Sequence, residues 1–336
     1  MKRKGLLLSF ITLLLIGILS ACGAGGGNEA SGKEESGKNK VVIGYFPNID
    51  HVPAMIAKEK GYYEEALGDQ VEIVYKTFPD GGAFMTALKT GEIDAGLVGP
   101  APVMNNYSNG ADVKIIAGAS SGGTVVVASK KSGIESLDDI HNKTFITPGV
   151  GCTHDVQFET YLQDYDIASS RIGGTLKHTT GNPAQYQAFF ESGKVDLAAV
   201  PEPWASLLIK DGAKVIVDTK DIAYGTTLPN TVLVTSNKFI KENKDLVQNI
   251  VKAHKKAVDF INKNKEEARD IAIQSIKEIT NQELDPEIID SAWERVRYTT
   301  EVDEKVLQDF SNSSYDLKFL KEKPDLKGLV DTSFLN

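Results

Sequence analysis

Polar side chains follow flexible turns at several places where a helix is predicted to begin. The clearest case is Gly149-Val150-Gly151-Cys152-Thr153, in which a flexible backbone precedes a hydroxyl at the capping position, with His154 next. The first N–H groups of a helix lack partners within it and carry the positive end of its dipole, so they attract anions. Asp155 in the first turn suits that dipole without any ligand. On the residues alone, an anion site and an ordinary N-cap are equally supported.

Two further groups of side chains are candidates for contacts with a small molecule. Asn48, Asp50 and His51 follow the first predicted strand, where they either contact a ligand or cap the next helix. Glu202 and Trp204 belong to a Pro-Glu-Pro-Trp turn, where the indole either forms a wall of a cleft or packs beneath it. Both groups are candidates for binding rather than for catalysis.

Catalysis and metal binding find little support in the same residues. The five histidines show neither HxH nor HxxxH spacing, so the sequence predicts no transition-metal site. Cys152 near His154 resembles a nucleophile and its base, but no third group is identifiable. Residues 118–123 lack the G-x-G-x-x-G spacing of a dinucleotide site. The sequence therefore predicts a protein that is not an enzyme and that needs no cofactor.

The N-terminus predicts a secreted and anchored protein. Lys2-Arg3-Lys4 precedes an apolar run from Leu6 to Leu19, which is too short to span a bilayer comfortably and suits a signal peptide. Leu19-Ser20-Ala21-Cys22 resembles the lipobox of bacterial lipoproteins, in which the cysteine becomes the lipid-modified first residue. An ordinary secretory signal with an incidental cysteine is the alternative. We predict a signal peptide over residues 1–21 and a flexible tether over residues 22–39, which contain no large apolar side chain.

Composition limits the class of the remaining chain. With 336 residues, 41% hydrophobic and 25% charged, the chain is globular and fits two domains. Lys+Arg 37 against Asp+Glu 46 gives a net charge of −9, which argues against nucleic-acid binding because nucleic-acid binders carry basic faces. With Cys22 acylated, Cys152 has no intrachain partner, so the fold does not depend on a disulfide.

Strand and helix patterns alternate along most of the chain. Apolar runs such as Val41–Tyr45 predict buried strands, and the helices between the strands end at glycines such as Gly61 and Gly91. This alternation predicts mostly parallel sheets flanked by helices. After Ser236 the pattern predicts helices only, among them an amphipathic helix. Its apolar stripe comprises Leu246, Ile250, Val251, His254, Val258 and Ile261.

One pattern occurs twice, 102 residues apart (193 minus 91). Thr90–Ala95 runs on to Pro100-Ala101-Pro102, and Ser192–Leu197 runs on to Pro201-Glu202-Pro203. In both copies a helix ends at glycine, an apolar-Asp pair enters a short strand, and Pro-x-Pro opens the next helix. Gly-x-x-Asp alone is short enough to recur by chance, but the matched Pro-x-Pro favours two similarly wound lobes.

Two lobes require two crossings of the chain. We expect the crossings near Gly122-Gly123-Thr124 and near residues 223–227. The predicted boundaries are 40–123 with 225–336 for lobe 1, and 124–224 for lobe 2. Ligands of such sheets bind beyond the carboxyl ends of strands, which places a cleft between the lobes. Ser120, Ser121 and Gly122 precede the first crossing, where they either face that cleft or form a solvated hinge turn.

Five stretches form a recognisable set in chain order. They are Ile43-Gly44-Tyr45-Phe46-Pro47, 57–64, 91–100, Val200-Pro201-Glu202-Pro203-Trp204-Ala205, and Thr231-Val232-Leu233-Val234 before Phe239 and Asp245-Leu246-Val247. Over about residues 41–260 the chain resembles the solute-binding proteins of ABC transporters for nitrate, sulfonates and taurine. The resemblance implies a two-lobed, type II periplasmic-binding-protein fold. The segment 148–155 departs from commoner versions, in which Asn or Ser precedes the threonine.

The resemblance also implies a function. The protein is expected to capture a small anion, an aliphatic sulfonate, taurine or nitrate, and to deliver it to an ABC permease with its ATPase. It is expected to be a monomer, held on the extracytoplasmic face of the cell membrane by the lipid on Cys22. The expected ligand contacts are Asn48, His51, Pro100, Ser120, Ser121, Gly122, Cys152, Thr153, His154, Glu202 and Trp204.

Three alternatives remain open at this point. A carrier of a pyrimidine precursor or another small heterocycle would stack its ligand on Trp204, Tyr45 or Phe46. An enzyme resembling the thiamine-pyrimidine synthases is disfavoured, because this chain lacks their cysteine-rich segment. A lipid-anchored sensor would hand its ligand to a membrane receptor instead of a permease.

Overall fold

A computed structural model describes residues 39–336, in which strands and helices alternate. The strands are β1 (Lys40–Tyr45), β2 (Glu72–Thr77), β3 (Ala95–Val98), β4 (Lys114–Gly122), β5 (Thr124–Ala128), β6 (Thr144–Thr147), β7 (Lys177–Thr180), β8 (Leu197–Pro201), β9 (Lys214–Val217), β10 (Thr231–Thr235) and β11 (Val296–Tyr298). The helices are α1 (Val52–Glu59), α2 (Tyr62–Leu67), α3 (Gly81–Thr90), α4 (Pro100–Ser108), α5 (Thr153–Gln163), α6 (Tyr186–Glu191), α7 (Trp204–Lys210), α8 (Asn237–Glu242), α9 (Lys244–Lys263), α10 (Lys265–Thr280), α11 (Pro286–Trp293) and α12 (Glu304–Asp316).

The predicted N-terminal features precede this part of the chain. The signal peptide, Cys22 and all but the last residue of the predicted tether lie outside the described residues. Within residues 39–336, no helix combines the length and the apolar character needed to cross a membrane.

The strands form two sheets. The first has the order β11-β4-β10-β3-β1-β2 and the second the order β7-β6-β8-β5-β9. The partners β1–β2, β1–β3, β6–β7 and β6–β8 are parallel. In contrast, β10 lies antiparallel between β3 and β4, and β5 lies antiparallel between β8 and β9. Four of six strands in the first sheet and four of five in the second therefore share one direction.

Two of the reversed strands, β5 and β10, arise where the chain passes between the sheets without an intervening helix. β4 ends at Gly122 in the first sheet, and β5 begins at Thr124 in the second. Gly122 and Gly123 both have φ of 84°, a left-handed conformation that favours glycine. β10 makes the return passage into the first sheet. All strands of the second sheet lie within the predicted lobe 2, so we retain the predicted boundaries as our proposal for the two lobes.

The C-terminal region contains a strand that the sequence pattern did not predict. The expectation of helices only after Ser236 is wrong, because β11 pairs antiparallel with β4. This strand has three residues, too few for an alternating pattern to stand out. The predicted apolar stripe of α9 is largely correct. Its members from Ile250 to Ile261 are buried, and His254 Nε2 donates a 2.7 Å hydrogen bond to the Gly118 carbonyl.

The repeated sequence pattern has a repeated structure. Asp94 Oδ2 accepts a hydrogen bond from the Val42 amide at 2.9 Å, and Asp196 Oδ2 accepts one from the Thr144 amide at 2.8 Å. In both cases the partners are 52 residues apart. The two carboxylates thus fix β3 against β1 and β8 against β6 in the same way.

Candidate functional site

A cavity lies between the two sheets, at the carboxyl ends of strands from both. It contains about 580 Å³, including the part that is open to solvent. Loops after β1, β2 and β3 line it from the first sheet, and loops after β6, β7 and β8 line it from the second. The lining comprises Phe46, Pro47, Asn48, His51, Phe78, Pro79, Asp80, Gly81, Val98, Gly99, Pro102, Pro148, Cys152, Thr153, His154, Asn182, Pro183, Pro201 and Trp204. This is the position at which sheets of this kind bind small molecules.

The structure brings six of the eleven predicted contacts together in this lining. They are Asn48, His51, Cys152, Thr153, His154 and Trp204. The remaining five, Pro100, Ser120, Ser121, Gly122 and Glu202, do not line this cavity.

Those five residues are buried instead. β4 continues to Gly122, because β10 pairs with it on one side and β11 on the other. Ser120 and Ser121 are therefore buried strand residues rather than part of a turn. Pro100 is the buried first residue of α4.

Glu202 has its own set of partners. Its carboxylate is fully buried, and it accepts hydrogen bonds from the Ser206 amide at 2.9 Å and the Ser206 hydroxyl at 3.0 Å. It also pairs with Arg295 at 3.0 Å.

Sequence reasoning missed the lining residues that follow β2 and β7. Asp80 caps α3, and its Oδ1 accepts a hydrogen bond from the Ala83 amide at 2.9 Å. Asn182 caps the short 3-10 turn before α6, and its Oδ1 accepts one from the Ala184 amide at 3.1 Å. The two capping residues are 102 apart (182 minus 80), which is the offset of the sequence repeat. Extension of that repeat by one element would have found them.

The start of α5 differs from its predicted form. The residue at the N-cap is Cys152, and Thr153 is the first residue of the helix. Thr153 Oγ1 accepts a hydrogen bond from the Ala101 amide at 3.3 Å, which joins α5 to the start of α4. Its own hydroxyl proton has no acceptor within residues 39–336, so a ligand has access to it as a donor. Gly99 must be glycine, since a Cβ there would lie 2.4 Å from Thr153 Oγ1.

Two neutral imidazoles face the cavity, one from the turn after β1 and one from the start of α5. Burial lowers the pKa of His51 to about 3, and the charge of His154 lowers it further. Burial alone lowers the pKa of His154 to about 3. The buried atoms His51 Nδ1 and His154 Nε2 have no hydrogen-bond partner in the described part of the chain. At neutral pH these side chains offer hydrogen bonds to a ligand but no positive charge.

The electrostatic character of the cavity follows from its lining. Among the described residues that line it, none is a lysine or arginine, and Asp80 contributes a carboxylate. Helix α5 begins at the cavity without a side-chain cap, so its first N–H groups are available to an anion, whereas the Asp80 carboxylate caps α3. An anion here would be held by neutral donors rather than by an ion pair. Burial raises the pKa of Cys152 to about 12, so its thiol is not an activated nucleophile.

A group of side chains with metal-ligand atoms lies beneath α5. Ligand atoms of Asp155, Glu159 and His178 lie within 4.8 Å of one another. Burial raises the pKa of Asp155 and of Glu159, and the carboxylate of Glu159 raises that of Asp155 further. Arg171 Nη2 lies 2.8 Å from Glu159 Oε2. The guanidinium of Arg171 offsets part of the negative charge of this cluster.

Comparison with known proteins agrees with this architecture. The "Putative aliphatic sulfonates-binding protein" of Bacillus subtilis (strain 168) is 26% identical over 344 residues, covering 99% of this chain and 96% of that protein. The alkanesulfonate-binding protein SsuA from Xanthomonas axonopodis pv. citri, solved with MOPS bound, matches with a TM-score of 0.74 at 19% identity. That match covers 88% of this chain and 99% of the other.

A second solved structure shows the same fold. The periplasmic nitrate-binding protein NrtA from Synechocystis PCC 6803 matches with a TM-score of 0.72 at 16% identity, covering 89% of this chain and 87% of the other. The profile of the NMT1-like family matches residues 34–277. Because that match spans most of the chain and the fold is that of periplasmic binding proteins, this protein belongs to the NMT1-like family.

Proposed function

We propose that this protein is the extracytoplasmic solute-binding component of an ABC importer and that its solute is an organic sulfonate. The observation that carries the proposal is the cavity between the sheets, which combines apolar walls with unpaired neutral donors from both lobes. The sulfonate-binding relative and the family support the same reading. No reaction is proposed, because the cavity offers donors and walls but no activated nucleophile.

The head group of a sulfonate would lie at the start of α5. Micromolar affinity requires about 8 kcal/mol, and an exposed helix N-terminus supplies only about 0.3–1 kcal/mol. A hydrogen bond to a charged group contributes about 1.5–3 kcal/mol, so three or four donors suffice. The Thr153 hydroxyl, the imidazoles of His51 and His154, and the free N–H groups of α5 provide that number.

The apolar walls favour an organic anion over nitrate. Phe46 and Phe78 on lobe 1 and Trp204 on lobe 2 surround the space with six prolines. Each buried methylene of a ligand contributes about 0.8 kcal/mol. Nitrate has no apolar part and would leave these walls in contact with water. The aliphatic chain of a sulfonate would cover them.

A small heterocycle is the second candidate. The lining includes the Asp80 carboxylate and lacks lysine and arginine among the described residues, which suits a neutral or cationic ring better than an anion. Phe46 and Trp204 line the cavity and offer faces for stacking. Tyr45, the third predicted stacking residue, is buried away from the lining.

The membrane attachment and the partners remain part of the proposal. The lipid on Cys22 would hold the protein at the extracytoplasmic face, and the tether would let the two lobes reach a permease and its ATPase. The body would act as a monomer, since the ligand site is completed within one chain.

Calorimetry separates the candidate ligands. We expect the affinity for linear alkanesulfonates to rise with chain length from ethanesulfonate to hexanesulfonate, and we expect nitrate not to bind measurably. Thr153→Val, which removes the hydroxyl and keeps the shape, should weaken sulfonate binding about tenfold, whereas Thr90→Val at the exposed end of α3 should not. Binding of an aminopyrimidine without binding of any sulfonate would replace the proposal by the heterocycle carrier.

A further inference from the structure

The C-terminal segment contacts both lobes beside the ligand cavity. α12 packs on α4 of lobe 1 and on α5 of lobe 2. On the lobe 1 side, Ser314 Oγ donates a hydrogen bond to Asn105 Oδ1 at 3.2 Å. Toward lobe 2, the hydroxyls of Ser313 and Tyr224 lie 2.7 Å apart. This segment lies beyond residues 34–277, which the family profile matches.

One side chain of lobe 2, that of Arg171, contacts the residues that follow α12. Arg171 Nη1 donates a 2.6 Å hydrogen bond to the Leu317 carbonyl, and its guanidinium lies 3.6 Å from the centre of the Phe319 ring. The other side of the guanidinium pairs with Glu159 at 2.8 Å. Arg171 therefore joins a buried carboxylate of its own lobe to the main chain and an aromatic ring of lobe 1.

A continuous set of contacts connects Arg171 with the ligand cavity. Glu159 lies against Asp155, whose Oδ2 accepts a hydrogen bond from the Gly151 amide at 2.8 Å. Gly151 stands in the loop before α5, between the lining residues Pro148 and Cys152. Phe319 also packs directly on this loop, since a Cβ on Gly151 would lie 3.2 Å from Phe319 Cδ1.

We propose that Arg171 is a positioning residue that latches the two lobes together around the ligand and holds the loop 148–152 in its binding form. The inference rests on the proposed function, because it assumes that the solute is captured between the lobes. Separation of the lobes would leave the Arg171–Glu159 pair intact within lobe 2. Only the contacts with the Leu317 carbonyl and the Phe319 ring would be exchanged for water, which makes the latch reversible.

A second arginine, Arg295, also contacts both lobes, but at a different position from Arg171. Arg295 pairs with Glu202 at 3.0 Å and Asp218 at 3.1 Å, and its carbonyl accepts a 2.9 Å hydrogen bond from the Gly123 amide. It therefore lies at the strand crossing, where lobe movement changes distances least. Arg171 lies at the ligand side of the lobes, where closure makes or breaks the contact.

Small-angle scattering of the ligand-free protein tests the latch without knowledge of the solute. Arg171→Gln and Phe319→Leu should each increase the radius of gyration. Arg171→Lys should have a smaller effect than Arg171→Gln because it keeps the positive charge, but some effect should remain because lysine cannot serve Glu159 and Leu317 together. Arg269→Gln is the matched control, since Arg269 pairs with Asp270 and Asp290 in lobe 1. Unchanged dimensions in both latch variants would overturn the inference.

Binding kinetics with hexanesulfonate provide the second measurement. We expect Arg171→Gln and Phe319→Leu each to raise the dissociation rate about tenfold with an unchanged association rate. We expect the double variant to be no faster than the single variants, because both remove one contact. Additive effects, or wild-type dissociation rates, would contradict the latch. If wild type binds no sulfonate, the proposed function fails, and the scattering result alone decides the latch.

Discussion

His154 gives a prediction in which stability and binding change in opposite directions. Its imidazole stands in the first turn of α5, with a buried Nε2 that has no partner among the described residues. Burial lowers its pKa to about 3, against an ordinary value of about 6.5. Above pH 6.5 the ring is neutral in both the folded and the unfolded chain. Below pH 6.5 His154 binds a proton in the unfolded chain but not in the folded protein. The free energy of unfolding therefore decreases as the pH falls toward 3.

The size of this stability loss follows from the difference between the pKa of His154 in the folded protein and in the unfolded chain. Proton binding to the unfolded chain costs the folded state about 2 kcal/mol at pH 5 and about 3 kcal/mol at pH 4. Glutamine does not titrate, so His154→Gln should remove this loss. Relative to wild type, the free energy of unfolding of the variant should therefore improve by about 2 kcal/mol between pH 7.5 and pH 5. At pH 7.5 the same variant should bind a sulfonate about tenfold or more weakly, because the flexible glutamine amide does not hold its N–H groups at the position of the imidazole nitrogen.

Urea unfolding at both pH values and calorimetry at pH 7.5 measure the two effects. His254→Gln is the matched control, since His254 is buried with a pKa of about 4 but lies on α9, outside the cavity lining. His254→Gln should improve the free energy of unfolding at pH 5 by nearly the same amount as His154→Gln. It should bind the ligand with wild-type affinity. If His154→Gln has the pH dependence of wild type, the folded protein accepts a proton on His154, and the neutral-donor account of the site is wrong.

Three further predictions concern charge, packing and anchoring. Asp80→Asn keeps an N-cap on α3 and removes the carboxylate from the cavity, so calorimetry should show about threefold to tenfold tighter sulfonate binding. The same change at the N-cap of α12, Asp303→Asn, should leave affinity unchanged. Gly96→Ala would place a Cβ 2.3 Å from the Gly44 carbonyl, and thermal unfolding should show a loss of about 3 kcal/mol, against about 1 kcal/mol for Gly110→Ala, where space is open but φ is 81°. Cys22→Ser should move the protein from the membrane fraction to the soluble fraction, and retention in the membrane would contradict the lipoprotein interpretation.

Much of the fold could be predicted because its determinants are local. The strand at Val41–Tyr45 and the end of α3 at Gly91 are as predicted, since apolar runs and turn residues set them. The reversed direction of β5 and β10 could not be predicted. Strand direction depends on which sheet the next strand joins, and a passage between sheets looks like any other turn in the sequence.

Part of the cavity lining could also be predicted, because local sequence features determine it. Asn48, in the loop after β1, and His154, at the start of the helix after β6, were identified as candidates because the carboxyl ends of parallel strands meet at one edge of a sheet. Ser120 and Ser121 were placed wrongly relative to the cavity because a Ser-Ser-Gly-Gly stretch has turn composition. Pairing with β10 and β11 holds these serines in a strand despite that local preference. Because this pairing forms only in the assembled sheet, the local sequence does not reveal it.

The repeat explains why the cavity has similar walls but unlike polarity. At the offset of 102 residues, Asp80 corresponds to Asn182, and both line the cavity. Equivalent turns therefore build both sides, and the differences between them decide what binds. Lobe 1 contributes the carboxylate, while lobe 2 contributes the indole and the hydroxyl of Thr153. A bound sulfonate would accordingly direct its charged end toward α5 of lobe 2, away from Asp80, and its tail toward the phenyl rings of lobe 1.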